Sequence, residues 1–299
     1  MNRSPRRAVT VALLAVVAIF TAFARADDNA LVLAAYNAEN LFDVFDDPYT
    51  EDQDTQVKPR TEVEAIARVL RQLDADVIAF SEIENRGVLE ALVAEMLGDM
   101  GYRYIAVNTT NSGRGINLGV VSRLPIDAVT SYRHRELTLP GEETTWRFAR
   151  DLMHVRVSLP HGEPMEIFAV HFKSKRDSAG DPDSAKWRLA EATEAASIIT
   201  NVMQQHPDRW VAMLGDFNDT PGSPPIDTLL DAGLIDAHAA LPSARRVTYL
   251  RQPYRSTIDY LLVNPPMRQA MVSATVPTNP ALLEGSDHAP VIATFRLPQ

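Results

Sequence analysis

The stretch WVAMLGDFND, Trp210 to Asp219, decides how the rest of the chain is read. Its apolar run stops at Gly215 and hands over to Asp216, Asn218 and Asp219, the pattern of a buried strand with a polar tip. In extended chain, residues two apart point to the same side, so Asp216 and Asn218 are expected to act together. A carboxylate beside a carboxamide can hold a water and a phosphoryl oxygen at once. Gly-Asp and Asn-Asp pairs also mark ordinary turns, so this stretch gains weight only from its companions.

Several companions end apolar runs in the same way. Leu31 to Tyr36 reads as a buried strand delivering Asn37 and Glu39, at the head of NAENLFD. Asp76 to Phe80 leads to Ser81-Glu82-Ile83-Glu84-Asn85, and Glu84 reads as a helix-entry charge. Met165 to Val170 leads to His171 and the basic cluster HFKSK. Ser256 to Val263 carries Asp259 inside an apolar run, where an unpaired charge would cost several kcal/mol. Its natural partner is His288, in the SDHAP segment that opens the last strand, Val291 to Phe295.

Between these strands lie helical patterns. Thr61-Glu-Val-Glu64 reads as a capping box before the stripe Val63, Ile66, Val69, Leu70 and Leu73. Further helices are expected over Val88 to Leu97, Asp183 to Met203 and Ile226 to Asp231. Tyr102 to Val107 and Asn117 to Ser122 read as a strand pair whose connecting loop holds Arg114 between two glycines. Asp43 to Lys58 is acidic and reads as a surface loop, and the arginine-rich run Arg245 to Arg255 as a loop suited to a substrate rim.

The chain's 299 residues and 45 % apolar content suit one large α/β unit, expected over residues 27–299. Ahead of it, residues 1–26 have the form of a secretory signal: Arg3, Arg6 and Arg7, then apolar Ala8 to Phe23, then the cleavage site Ala24-Arg25-Ala26. The mature chain is therefore expected in the periplasm or outside the cell, with no stable membrane association. No cysteine is present, which excludes disulfides, thiol catalysis and thiolate metal sites. Removing residues 1–26 takes away four arginines and no acid, moving the formal charge from −10 to −14. Such a chain does not coat nucleic acid non-specifically and would need a local basic groove.

Taken in this order, NAENLFD, SEIEN, HFKSK, GDFND, TIDYL and SDHAP resemble the endonuclease/exonuclease/phosphatase superfamily, the metal-dependent phosphoesterases related to deoxyribonuclease I, over about Leu31 to Phe295. The resemblance implies a four-layer α/β sandwich: two mixed, mostly antiparallel sheets face to face, helices outside, the active site at one edge. The residues alone specify only α/β alternation. It also implies that Glu82 is the main metal ligand, assisted by Asn37 and Asp287. The family's usual glutamine before that glutamate is here Ser81. His171 stands at the catalytic-histidine position, and Arg150 where a basic residue lies near the phosphate.

The chemistry can also be argued from the residues. Water attacking a phosphodiester builds negative charge on the non-bridging and leaving oxygens, so the site needs a cation, neutral donors and a base. Oxygen ligands without cysteine point to Mg²⁺, Mn²⁺ or Ca²⁺. On this reading Asp216 activates the water, Asn218 and His171 donate to the phosphate, and Asp259 orients His288. Arg150, Lys173, Lys175 and Arg176 are the expected substrate-binding cations. The function expected is a monomeric, secreted nuclease acting on DNA or RNA. The alternatives are a phospholipid or inositol-phosphate phosphoesterase and an inactive binding module. The sequence offers no evident aromatic hairpin for a lipid surface.

Overall fold

The computed structural model describes residues 29–298 except 54, 140, 143, 144, 179, 278 and 280–282; the signal segment, residues 1–26, lies outside the described residues. One six-stranded sheet is built from β1 (Ala30–Leu41), β2 (Val77–Ile83), β3 (Tyr104–Asn108), β4 (Asn117–Ser122), β13 (Met271–Thr275) and β14 (Val291–Arg296). Its strand order is β13-β14-β1-β2-β4-β3, and only β1 and β2 run parallel. The other contains β5 (Ile126–Ser131), β8 (Leu152–Ser158), β9 (Pro164–His171), β10 (Val211–Asp216), β11 (Ile235–Asp236) and β12 (Asp259–Val263). The order is β11-β12-β10-β9-β8-β5, with only β9 and β10 parallel. A small hairpin, β6 (Leu137–Thr138) with β7 (Thr145–Trp146), stands apart from both.

Period-two alternation explains the layers. Leu31, Leu33 and Ala35 of β1 meet Ala212 and Leu214 of β10, Ile167 and Ala169 of β9, and Leu261 and Val263 of β12 in a core between the sheets. The intervening residues face outward onto helices. Ala34 and Tyr36 pack with α1 (Arg60–Leu73) and α2 (Arg86–Met96), while Val211 and Met213 pack with α3 (Ala185–Gln205) and α4 (Pro224–Asp231). Strands buried on both faces must be apolar throughout, which is why their sequences read as continuous runs. A single-turn α5 (Pro265–Gln269) joins β12 to β13. The result is the helix, sheet, sheet, helix sandwich with mixed, mostly antiparallel sheets. No helix among the described residues is long and apolar enough to cross a membrane.

One local expectation is corrected. The capping box does not form: Pro59 is the N-cap of α1, Thr61 already lies within the first turn, and no side chain caps the helix. Proline's fixed φ starts the helix upstream, and Pro59 O accepts both Glu62 N and Val63 N. The loop Asp43 to Lys58 also exposes more apolar surface than its acidity suggests, with Phe45 77 % and Tyr49 93 % exposed.

Candidate active site

The alternation that builds the inter-sheet core also builds the site. Counting in steps of two, Ala35 leads to Asn37, Ala169 to His171, and Leu214 to Asp216, while Leu261 leads back to Asp259. The apolar slab therefore ends in a polar layer at one edge of the sandwich. Pairing register places Asp216 opposite His171 on one side and Asp259 on the other. Across the sheets, Asn37 Nδ2 donates to Asp216 Oδ2 at 3.0 Å, although 179 residues separate them. Gly215 lets β10 lie close against β9 within its own sheet: at φ +140° a Cβ there would lie 2.1 Å from Val170 O.

The polar layer opens into a cavity of about 1060 Å³. On its floor, His171 Nε2 lies 3.5 Å from Asp216 Oδ2 and 3.9 Å from Glu82 Oε1. His288 Nδ1 lies 2.8 Å from Asp259 Oδ2, and its Nε2 is 4.0 Å from Asp216 Oδ2 and 3.7 Å from Asp287 Oδ1. Ser286 fixes the last motif, accepting from His288 N while donating to Asn37 O. Glu39, Asn40, Glu82 and Asn218 all have left-handed backbones, with φ of 48°, 54°, 59° and 52°. Such conformations cost of order 1–3 kcal/mol each and persist where the surroundings impose them, typically at functional sites.

The two histidines differ in charge. Burial lowers the pKa of both, but the ion pair and hydrogen bond to Asp259, with Asp216 and Asp287 nearby, raise His288 to about 10. His171 has no such compensation; burial and the positive charges of Arg150, His288 and Arg114 hold it well below the usual imidazole value. The site thus pairs a neutral imidazole with an imidazolium. Asp216 is raised well above the ordinary carboxylate range by burial and by Asp259, partly offset by His288.

Most of the expected residues converge here. Glu82, Arg150, His171, Lys175, Asp216, Asn218, Asp287 and His288 line the cavity. Asp259 stands behind His288. Asn37 also stands behind the surface, with Oδ1 accepting Glu39 N and Nδ2 engaged by Asp216. The extended geometry expected for Asn218 is not found, because the strand ends at Asp216. The chain turns left-handed there, so Asn218 N donates to Asp216 Oδ1 and Asn218 Nδ2 to Phe172 O. Lys173 does not line the cavity; its ammonium donates to Ser174 O and Arg176 O and lies over the Trp187 ring. Ser81 Oγ is buried without a partner, and Glu82 takes its support from Asn40 N instead.

Three further residues complete the walls. Glu39 accepts Asp287 N at 2.7 Å, Arg251 bridges Glu39 and Asp287 at 2.6 and 3.3 Å, and Tyr249 packs against the His288 ring. NAENLFD and the arginine-rich run hinted at the first two, but only the fold brings them together. Glu39, Glu82, Asp216 and Asp287 thus present carboxylates to one cavity. This all-oxygen set fits a hard divalent cation. Asp216, Asp259 and His288 also bring ligand atoms within 4.8 Å of one another and could hold a metal ion.

The model of the Endonuclease/Exonuclease/phosphatase family matches residues 32–241. The chain belongs to that family. Members of known structure share the fold at low identity. The human Nocturnin catalytic domain with bound sulfate is 16 % identical, with 89 % of this chain and 94 % of that one covered at a TM-score of 0.65. Truncated TDP2 from Caenorhabditis elegans is also 16 % identical, with 89 % and 98 % covered and a TM-score of 0.60. The 3′ phosphatase NExo from Neisseria, bound to a product DNA hairpin, is 18 % identical, with 89 % and 99 % covered at 0.59. No curated protein matches the chain in sequence. As an endonuclease/exonuclease/phosphatase family member, the chain falls among phosphoester hydrolases and nucleases at the general level.

Proposed function

We propose that the protein is an exported, divalent-metal-dependent phosphodiester hydrolase, acting in the periplasm or outside the cell, with nucleic acid as substrate. The observation that carries this reading is a cavity with both halves of the required chemistry. Four carboxylates, Glu39, Glu82, Asp216 and Asp287, share it with the cations Arg114, Arg150, Lys175, Arg176 and Arg251. A DNA-bound relative of the same fold supports the choice of substrate.

In this reading Glu82 and Asp287 hold the cation, with Glu39 beside them and Asn37 fixing both Glu39 and Asp216 from behind. Asp259 is already engaged by the His288 cation, which makes the Asp216, Asp259 and His288 group a poorer home for a metal. A divalent cation would polarise the phosphoryl oxygen and offset charge on the leaving oxygen. Asp216, its proton affinity raised toward neutrality, takes the proton of the attacking water. Neutral His171 and Asn218 donate hydrogen bonds to the non-bridging oxygens, and Arg150 balances their charge. His288 stabilises the developing charge as an imidazolium, with Asp259 holding its orientation.

A second reading, a phospholipid headgroup as substrate, is favoured by the exposed Val44, Phe45 and Tyr49. The test is to strip the mature chain of metal and assay it with Mg²⁺, Mn²⁺ or Ca²⁺ against plasmid, single-stranded DNA, RNA, inositol phosphates and sphingomyelin vesicles. Metal-dependent cleavage of nucleic acid supports the proposal. Turnover confined to vesicles or inositol phosphates transfers the site to the other substrate, and no turnover anywhere marks an inactive binding module.

A further inference from the structure

Helix α3 is amphipathic, and Ala192, Ala195 and Ile199 lay its inner face on the second sheet. That face nevertheless begins with two charged residues one turn apart, Arg188 at 2 % exposure and Glu191 at 0 %. Neither lines the cavity. A buried charge is costly unless it is paired and hydrogen-bonded, and both side chains are. Glu191 Oε1 accepts Ala149 N and Oε2 accepts Lys173 N, each at 2.7 Å. Arg188 donates to Asp219 Oδ2 at 3.0 Å, to Asp183 O at 2.6 Å and to Lys173 O at 3.3 Å.

These contacts grip the loops on which the phosphate-facing groups are mounted. Ala149 precedes Arg150, and residue Lys173 is held at its N–H by Glu191 and at its C=O by Arg188. The Lys173 N–H belongs to the Phe172–Lys173 peptide, whose C=O receives Arg150 Nη1 at 3.2 Å and Asn218 Nδ2 at 3.0 Å, so Arg150 and Asn218 are both referenced to the peptide that Glu191 holds. His171 is the next residue back. Only a carboxylate can serve both N–H groups, because a glutamine amide would turn a donor toward one of them.

We infer that Glu191, seconded by Arg188, is a positioning residue that sets the direction of the Arg150 guanidinium toward the substrate phosphate by fixing the Ala149 and Lys173 peptides. The inference rests on the reading of Arg150 as a phosphate-binding residue. Burial raises the Glu191 carboxyl to about 7, and the N–H bonds from Lys173 and Ala149 with the charges of Arg150 and Arg188 keep it from rising further.

The test is a double-mutant cycle on the full mature enzyme with E191Q, R150A and both together, reading kcat and KM, inhibition by inorganic phosphate, and thermal unfolding. Glu191→Gln should lower kcat/KM about 10-fold, mainly through KM, and weaken phosphate inhibition, because a small misdirection of a bound group costs that much or more. In the R150A background it should add no further loss. Equal losses from E191Q with and without Arg150 would overturn the inference while leaving Arg150's role intact. A wild-type phosphate inhibition constant in R150A would overturn both. Should E191Q fail to fold, E191D, which keeps the charge but is too short to span both peptides, replaces it in the same cycle with the same two outcomes.

Discussion

His288 Nδ1 lies 2.8 Å from Asp259 Oδ2, joining the last motif of the chain to the buried carboxylate of β12. The pair leaves Nε2 free to face Asp216 and Asp287. Replacing Asp259 by Asn preserves volume but removes the charge that keeps the imidazole protonated. Turnover should fall by at least about 10²-fold with KM little changed. Kinetics and thermal unfolding on the same samples check this; a parallel loss of folded protein would assign the pair to stability instead.

The acidic wall predicts a graded metal response. Glu82→Gln and Glu39→Gln should each move activation to higher Mg²⁺ concentration, since a neutral amide is a poorer ligand for a hard cation. Calorimetric titration with Mn²⁺ provides a readout independent of turnover, and metal binding should raise the melting temperature of wild type more than that of either variant. An unchanged titration in Glu82→Gln would move the cation to another carboxylate set.

Gly215→Ala should be severely destabilising although it adds a single carbon. The new Cβ would sit 2.1 Å from Val170 O in the paired strand, at a backbone φ of +140°. Overpacking together with an unfavourable conformation should cost about 3 kcal/mol or more. Urea unfolding measures it, and a loss below about 1 kcal/mol would show that β9 and β10 can part without penalty.

Acid stability should report on Glu166, far from the cavity. Burial raises its pKa, but hydrogen bonds from His154, Arg209 and Arg156 outweigh burial and bring it from 4.5 down to about 2. A depressed folded-state pKa contributes stability that is complete above pH 4.5 and lost as pH falls toward 2. Glu166→Gln should therefore be less stable at neutral pH and show a flatter acid limb across that window. Unfolding free energies at a series of pH values decide it; parallel wild-type and variant curves would contradict the assignment.

Salt dependence separates the basic residues. Arg114 and Arg176 line the cavity, whereas Lys173 is turned onto Trp187. On duplex DNA, Arg114→Ala and Arg176→Ala should each flatten the logarithmic salt slope of KM by roughly one, and Lys173→Ala should leave it unchanged. The reverse ranking would remove the cavity rim from the nucleic-acid path.

Much of this molecule was legible along the chain. Strands buried on both faces must be apolar along their length, so the runs ending at Asn37, Glu82, His171 and Asp216 announced themselves, and helices between them implied an α/β fold. A buried aspartate needs a partner, which linked Asp259 to His288 before any geometry was known. Local sequence misled where one residue changes the backbone path, as Pro59 did at the start of α1 and the left-handed turn did at Asn218. Charged residues on an otherwise apolar helix stripe, Arg188 and Glu191, mark buried polar contacts along the chain, but their partners follow only from the fold.

What the tertiary structure alone decided is which strand tips meet. Alternation assigns Asn37 and Asp216 each to a face of its own strand, but nothing within reach of either residue records that the two faces look at each other. Sheet order and register set that, and they arise from pairing and packing between segments as far apart as the 179 residues separating the two side chains. The same closure brings Arg251 to Glu39 and Asp287, and α3 beneath the loops of Arg150 and His171. These contacts depend on the burial of two sheets against each other, a free energy summed over the whole core rather than carried by any local stretch.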